Sequence, residues 1–139
     1  RMELVISRFE TGQAMRIFFG LLSAAYISGI FFGADSQAAA GIGEFNPFSI
    51  LHIPLYGILT ALLLLTFLTK EIGRPARQYL IPGLIAFVVG CFDEYHQSFI
   101  PMREASIGDV LLDGAGVLLV LALAWRVPPG RWIPLFKKR

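Results

Sequence analysis

Four apolar runs separated by short polar stretches set the pattern of this chain. The first, Ile17 to Gly33, is 17 residues without a charge, close to the minimum that crosses a hydrocarbon core about 30 Å thick. Arg16 stands at its start, where a long side chain can reach the interface. The second run begins at Asn46-Pro47, a pairing that suits a helix N-cap followed by proline at the first helical position, and passes through Leu62 to Leu65 as far as Thr69. The third, Tyr79 to Phe92, has 14 residues, too few to span alone. It crosses only if the helix continues through Asp93-Glu94-Tyr95-His96-Gln97 to about Ile100, where Pro101 stops it. Pro82 then falls in the first turn of that helix. The fourth run follows Ser106, whose spacing to Asp109 resembles a capping box, and reaches Trp125. The predicted helices are about 15–33, 47–69, 79–100 and 107–126. A signal peptide is the competing reading of the first run, because a basic segment precedes it and the small residues of SQAAAG follow it. Its length favours a retained span, and the orientation is the same either way.

Composition turns these runs into a class. The chain is 55% hydrophobic with a mean hydropathy of +0.65, and 16% of its residues are charged, against about 25% in soluble domains. It reads as one small integral membrane domain. The single cysteine, Cys91, excludes an internal disulfide or a Cys-rich metal site and is read as an apolar filler. Of the 12 Lys and Arg, three precede the first span, three lie at 70–77 and five in the tail, which leaves Arg103 alone elsewhere. The positive-inside rule then places both termini in the cytoplasm. The expected fold is all-α, a polytopic four-transmembrane-helix bundle in the cell inner (plasma) membrane. Basic residues confined to segment ends give no basic face for nucleic acid.

Against this background, Phe92 to Asp113 is anomalous, because it places seven ionisable residues and a Gln within apolar surroundings: Asp93, Glu94, His96, Gln97, Arg103, Glu104, Asp109 and Asp113. His52 and Tyr56, one turn apart on the second helix, share their depth. Ionisable residues at membrane depth are costly and point to function. The expected catalytic residues are Glu94 as acid and His96 as partner base, with Asp93 and Asp109. His52, Tyr56, Gln97, Arg103 and Asp113 are expected to hold the substrate, with Gln97 and Arg103 on an anionic or carbonyl group. Plainer roles stand beside these. Arg103 suits a salt bridge to Glu94 or Asp109, Asp109 suits a helix start, Ser106 reads as a cap rather than a nucleophile, and Glu44 and Glu104 read as solvated loop charges. No metal or other cofactor is required. A divalent metal on His52, His96 and Asp93 or Glu94 is the less favoured alternative, since no His-x-x-x-His is present.

The substrate expected at such a depth is amphipathic: a membrane lipid, a lipid-linked glycan or a lipoglycopeptide. A non-catalytic binder of such ligands and a small proton-coupled carrier relaying through Asp113 and His96 are the alternatives. Gly114, Gly116 and the glycines from Gly20 to Gly33 suit helix packing within or between chains, so the oligomeric state stays open.

The run DEYHQSFIPMREASIGDVLLDGAG, Asp93 to Gly116, resembles the signature of VanZ-like membrane proteins. In that signature an acidic pair and a Gln precede a Phe-x-Pro-x-Arg turn and an Asp that opens a Gly-rich helix. Glu94, Gln97, Pro101, Arg103, Asp109 and Gly116 fall in register, and His52 with Tyr56 is similar to the family's earlier His-x-x-x-Tyr. Met102 stands where Gly is common, Asp113 where Asn is frequent, and no Lys precedes His52. The resemblance implies a bacterial four-span protein of the cell envelope associated with resistance to teicoplanin, a lipidated antibiotic that acts outside the membrane.

Overall fold

The computed structural model of the 139-residue chain describes residues 2–34, 47–67, 76–101 and 105–127, all within or next to helices. The elements are α1 (Met2–Ala34), a 3₁₀ turn (Pro47–Leu51) leading into α2 (His52–Phe67), α3 (Arg77–Gln97) and α4 (Ile107–Arg126). Helix α1 is longer than the expected 15–33. Between Met2 and Met15 there is no Pro and a single Gly, so nothing breaks the helix, which extends from Met2 and reaches roughly 50 Å. Its apolar section, Gly12–Gly33, is one of three stretches long and apolar enough to cross a membrane, with Ser49–Phe67 and Ile107–Arg126.

Two expectations about the second and third helices need correction. Regular α-helix starts at His52 rather than at Pro47. Pro54 is the reason: it has no N–H to donate to the carbonyl four residues back, and its ring crowds that carbonyl, so the preceding five residues tighten into a 3₁₀ turn. Asn46, the expected N-cap, lies outside the described residues. Helix α3 begins at Arg77, which moves Pro82 from the first turn into the second. It ends at Gln97, three residues short of Ile100, in a turn that leads to Pro101.

Partners along the helices give the topology. Arg16 near the start of the α1 span donates to the Thr66 carbonyl at the end of α2, at 2.9 Å, and Tyr26 reaches the Leu55 carbonyl near the start of α2, at 3.2 Å. Those two helices are therefore antiparallel. Asp93 of α3 meets Tyr56 early in α2, and Tyr79 of α3 packs edge-on against Trp125 late in α4, so α3 opposes both. Helices α2 and α4 run parallel and are in extensive contact. They cross closely at Gly116, where an added Cβ would run into the Ile53 carbonyl oxygen.

The polarity of the bundle is inverted relative to a soluble one. Phe18, Leu21, Phe32, Leu80, Leu84, Leu111 and Leu118 are exposed on its outside, while Thr60, Asp93, Glu94, Gln97 and Asp113 are buried inside. An apolar exterior of this extent fits lipid as the surrounding solvent. Tyr56, Leu59, Leu63, Ala86 and Val117 form the central core, and Leu64, Tyr79 and Ala124 continue it toward the end that carries Arg16, Arg77 and Arg126.

Candidate functional site

The opposite end of the bundle is polar, and three helices build it. Each contributes from its own terminus: α2 brings His52 and Tyr56 from its first two turns, α3 brings Asp93, Glu94 and Gln97 from its last two, and α4 brings Asp109 and Asp113 from its first two. The i, i+4 spacing of His52 and Tyr56 stacks their rings, with centroids 6.3 Å apart. The same spacing lets Gln97 Nε2 donate to Asp93 Oδ2 at 3.0 Å.

Two carboxylates are held by side chains. Asp93 Oδ2 accepts the Tyr56 hydroxyl at 3.2 Å as well as Gln97. Asp113, with no exposed surface, places Oδ1 2.8 Å from His52 Nδ1. This depth is open to Asp113 because residue 90 is glycine. A Cβ there would lie 2.7 Å from Asp113 Oδ2 and 3.2 Å from its Cβ.

The third carboxylate is held by backbone. Glu94 Oε2 accepts the Ser106 N–H at 2.9 Å. Ser106 does occupy the N-cap of α4, but its hydroxyl makes no cap bond, so the expected capping box with Asp109 does not form. In a capping box the acid at the third helical position returns to the N-cap N–H. Here Glu94 of the neighbouring helix takes that N–H instead.

Acceptors outnumber donors in this end. Asp93 Oδ1, Glu94 Oε1 and Asp113 Oδ2 are buried without a hydrogen-bond partner among the described residues. The arrangement is suited to a ligand that brings donors or positive charge. Nitrogen and oxygen donors of His52, Glu94 and Asp109 all lie within 4.8 Å of one another.

A model of the VanZ/LLP1 family matches residues 9–128. The chain belongs to the VanZ/LLP1 family. No curated protein and no solved structure matches it significantly.

In this VanZ-family chain, seven of the nine expected site residues converge: His52, Tyr56, Asp93, Glu94, Gln97, Asp109 and Asp113. Within that group Tyr56 and Gln97 turn their polar atoms to Asp93. His96 follows Glu94 by two residues, roughly 200° round the helix, and its ring lies edge-on to Phe31 of α1, with centroids 5.6 Å apart. Arg103 lies outside the described residues, as does Glu104. Two contributors escaped the sequence reading. Gly90 had a signal, a glycine inside a helix three residues before the acidic pair, which marks close packing. The Ser106 N–H had none, since only the fold brings it to Glu94.

Proposed function

We propose that this protein is a multi-pass plasma-membrane protein with both termini in the cytoplasm, whose polar end faces outward and engages the headgroup of a lipid-linked or cell-envelope amphipathic molecule. The observation that carries the reading is the acceptor-rich constellation at one end of a bundle with an apolar exterior. A headgroup with hydroxyl, amide or cationic donors complements it, and the apolar tail matches the outer surface of the helices. The orientation rests on Arg16, Arg77 and Arg126 at the opposite end, with the basic tail beyond them. Arg103, in the link after Pro101, adds a cation on the outer side for an anionic part of the ligand.

The reading favours a one-sided site over a carrier. Beyond Thr60 the central core is Leu63, Leu64, Tyr79, Ala86, Val117 and Ala124, with no acid, His, Lys or Arg among the buried core residues described there. Glu94 as acid and His96 as base, with Asp93 and Asp109, would supply proton transfer if the bound molecule is turned over. Capture or alteration of a lipidated glycopeptide, or of its envelope target, would connect this site to teicoplanin-type resistance.

The test is native mass spectrometry of protein extracted from its membrane in mild detergent, followed by incubation with polyprenyl-linked glycan. Wild-type protein should retain an amphipathic molecule that Asp113→Asn loses. If Glu94→Gln binds the glycan as wild type does but yields no product where wild type does, the site is enzymatic. Retention that is equal in wild type, Asp113→Asn and Glu94→Gln would sink the headgroup reading.

A further inference from the structure

The outer end contains a charge arrangement that also suits a bare cation. Glu94 is 4% exposed, and among the described residues its hydrogen-bond partner is the Ser106 N–H. An ionised carboxylate at that depth without a counter-charge is costly by several kcal/mol. Among the described residues, neither Lys nor Arg occurs in 47–67, 78–101 or 105–125, and Arg103 lies outside them. The nearby base, His52, already faces Asp113 through Nδ1.

Three observations on this cluster point to one kind of ligand. First, His52, Glu94 and Asp109 come from three different helices, yet each offers a donor atom within 4.8 Å of the other two. Three donors held at about 2.1 Å by one cation stand about 3.5 Å apart, so side-chain rotations that draw the donor atoms in by about an ångström close the set. Second, Asp113 Oδ1 stands 2.8 Å from His52 Nδ1, which leaves Nε2 to present a lone pair. A buried carboxylate behind an imidazole is how metal-ligating histidines are oriented and made more basic. Third, Glu94 has one oxygen fixed by the Ser106 N–H and the other, Oε1, buried and without a partner among the described residues. That is the disposition of a monodentate carboxylate ligand with an outer hydrogen bond.

We infer that His52, Glu94 and Asp109 bind one divalent transition-metal cation, Zn2+ or Mn2+, with Asp113 and the Ser106 N–H as the groups that orient the ligands. One imidazole and two carboxylates suit those ions. Calcium, which takes six to eight oxygens, would leave the imidazole unused. Three protein ligands leave coordination positions open toward the polar end for water or a substrate oxygen. The set differs from the one suggested by the sequence: Asp93 is taken by Tyr56 and Gln97, His96 lies against Phe31, and Asp109 replaces them. The site does not depend on the headgroup reading, because the ion alone reports on it.

The experiment uses the full chain in lipid nanodiscs, stripped with chelator and then titrated with Zn2+ by calorimetry and with Mn2+ by electron paramagnetic resonance. Wild type should take up one equivalent, with imidazole nitrogen modulation in the Mn2+ signal. Asp109→Asn should weaken binding at least tenfold, His52→Asn should also remove the nitrogen modulation, and Asp113→Asn should weaken binding by ~10–100-fold while retaining that modulation. His96→Asn should bind as wild type does. Asp109→Asn changes a half-buried residue in the first turn of α4, so it reports on binding even if His52→Asn fails to fold. Absence of saturable uptake by wild type, equal affinity in Asp109→Asn, or a loss in His96→Asn as large as that in His52→Asn would overturn the assignment.

Discussion

Asp113 illustrates what a carboxylate needs in order to sit inside a helical bundle. It has a base on one oxygen, His52 Nδ1 at 2.8 Å, and a helix face without a side chain beside the other, at Gly90. Gly90→Ala removes that space. Because Asp113 has no exposed surface to retreat into, this variant should lose about 1–3 kcal/mol of stability, read as a lower unfolding midpoint in detergent. Asp93 depends on donors instead of space. Tyr56→Phe leaves Gln97 as its one remaining partner and should cost about 1–3 kcal/mol in the same assay, as expected when a buried acceptor loses a donor. A Tyr56→Phe protein as stable as wild type would show that the 3.2 Å contact contributes nothing.

Among the elements, α2 and α4 depend on each other most closely. Gly116→Ala would drive a methyl group into the Ile53 carbonyl oxygen, which is backbone and cannot rotate aside. The variant should lose at least ~3 kcal/mol or fail to accumulate. Gly29→Ala in α1, with nothing within 4 Å of the added carbon, should be neutral or stabilise by up to about 1 kcal/mol through helix propensity. Equal behaviour of the two variants would refute the close crossing. The same elements show what could be seen in the sequence. Charge-free runs and the four-residue spacing of His52 and Tyr56 are local patterns, so the helices and the shared face were legible. The Asn46-Pro47 pair is a local start signal, and the Pro54 ring, which that pattern leaves out of account, decided against it. The Gly90–Asp113 and Ser106–Glu94 contacts join residues 23 and 12 positions apart, and no local pattern encodes them. The failed capping box has the same origin, because a tertiary acceptor displaced a local one.

At the scale of the molecule, arginines at one end and carboxylates at the other make the bundle electrically polar along its long axis. The proposed orientation predicts that a fluorescent protein fused after Arg139 matures in the cytoplasm, and that alkaline phosphatase is active when fused after Met102 and inactive after Gly73. The reverse activities would invert the topology. The crossing at Gly116 then has a mechanical consequence. Where side chains separate two helices, repacking lets their spacing drift, but here main chain rests almost on main chain. The separation of α2 and α4 is gauged by backbone atoms. Because His52 and Asp113 lie within one turn of that contact, their 2.8 Å spacing inherits the tolerance of the backbone rather than that of a side-chain core.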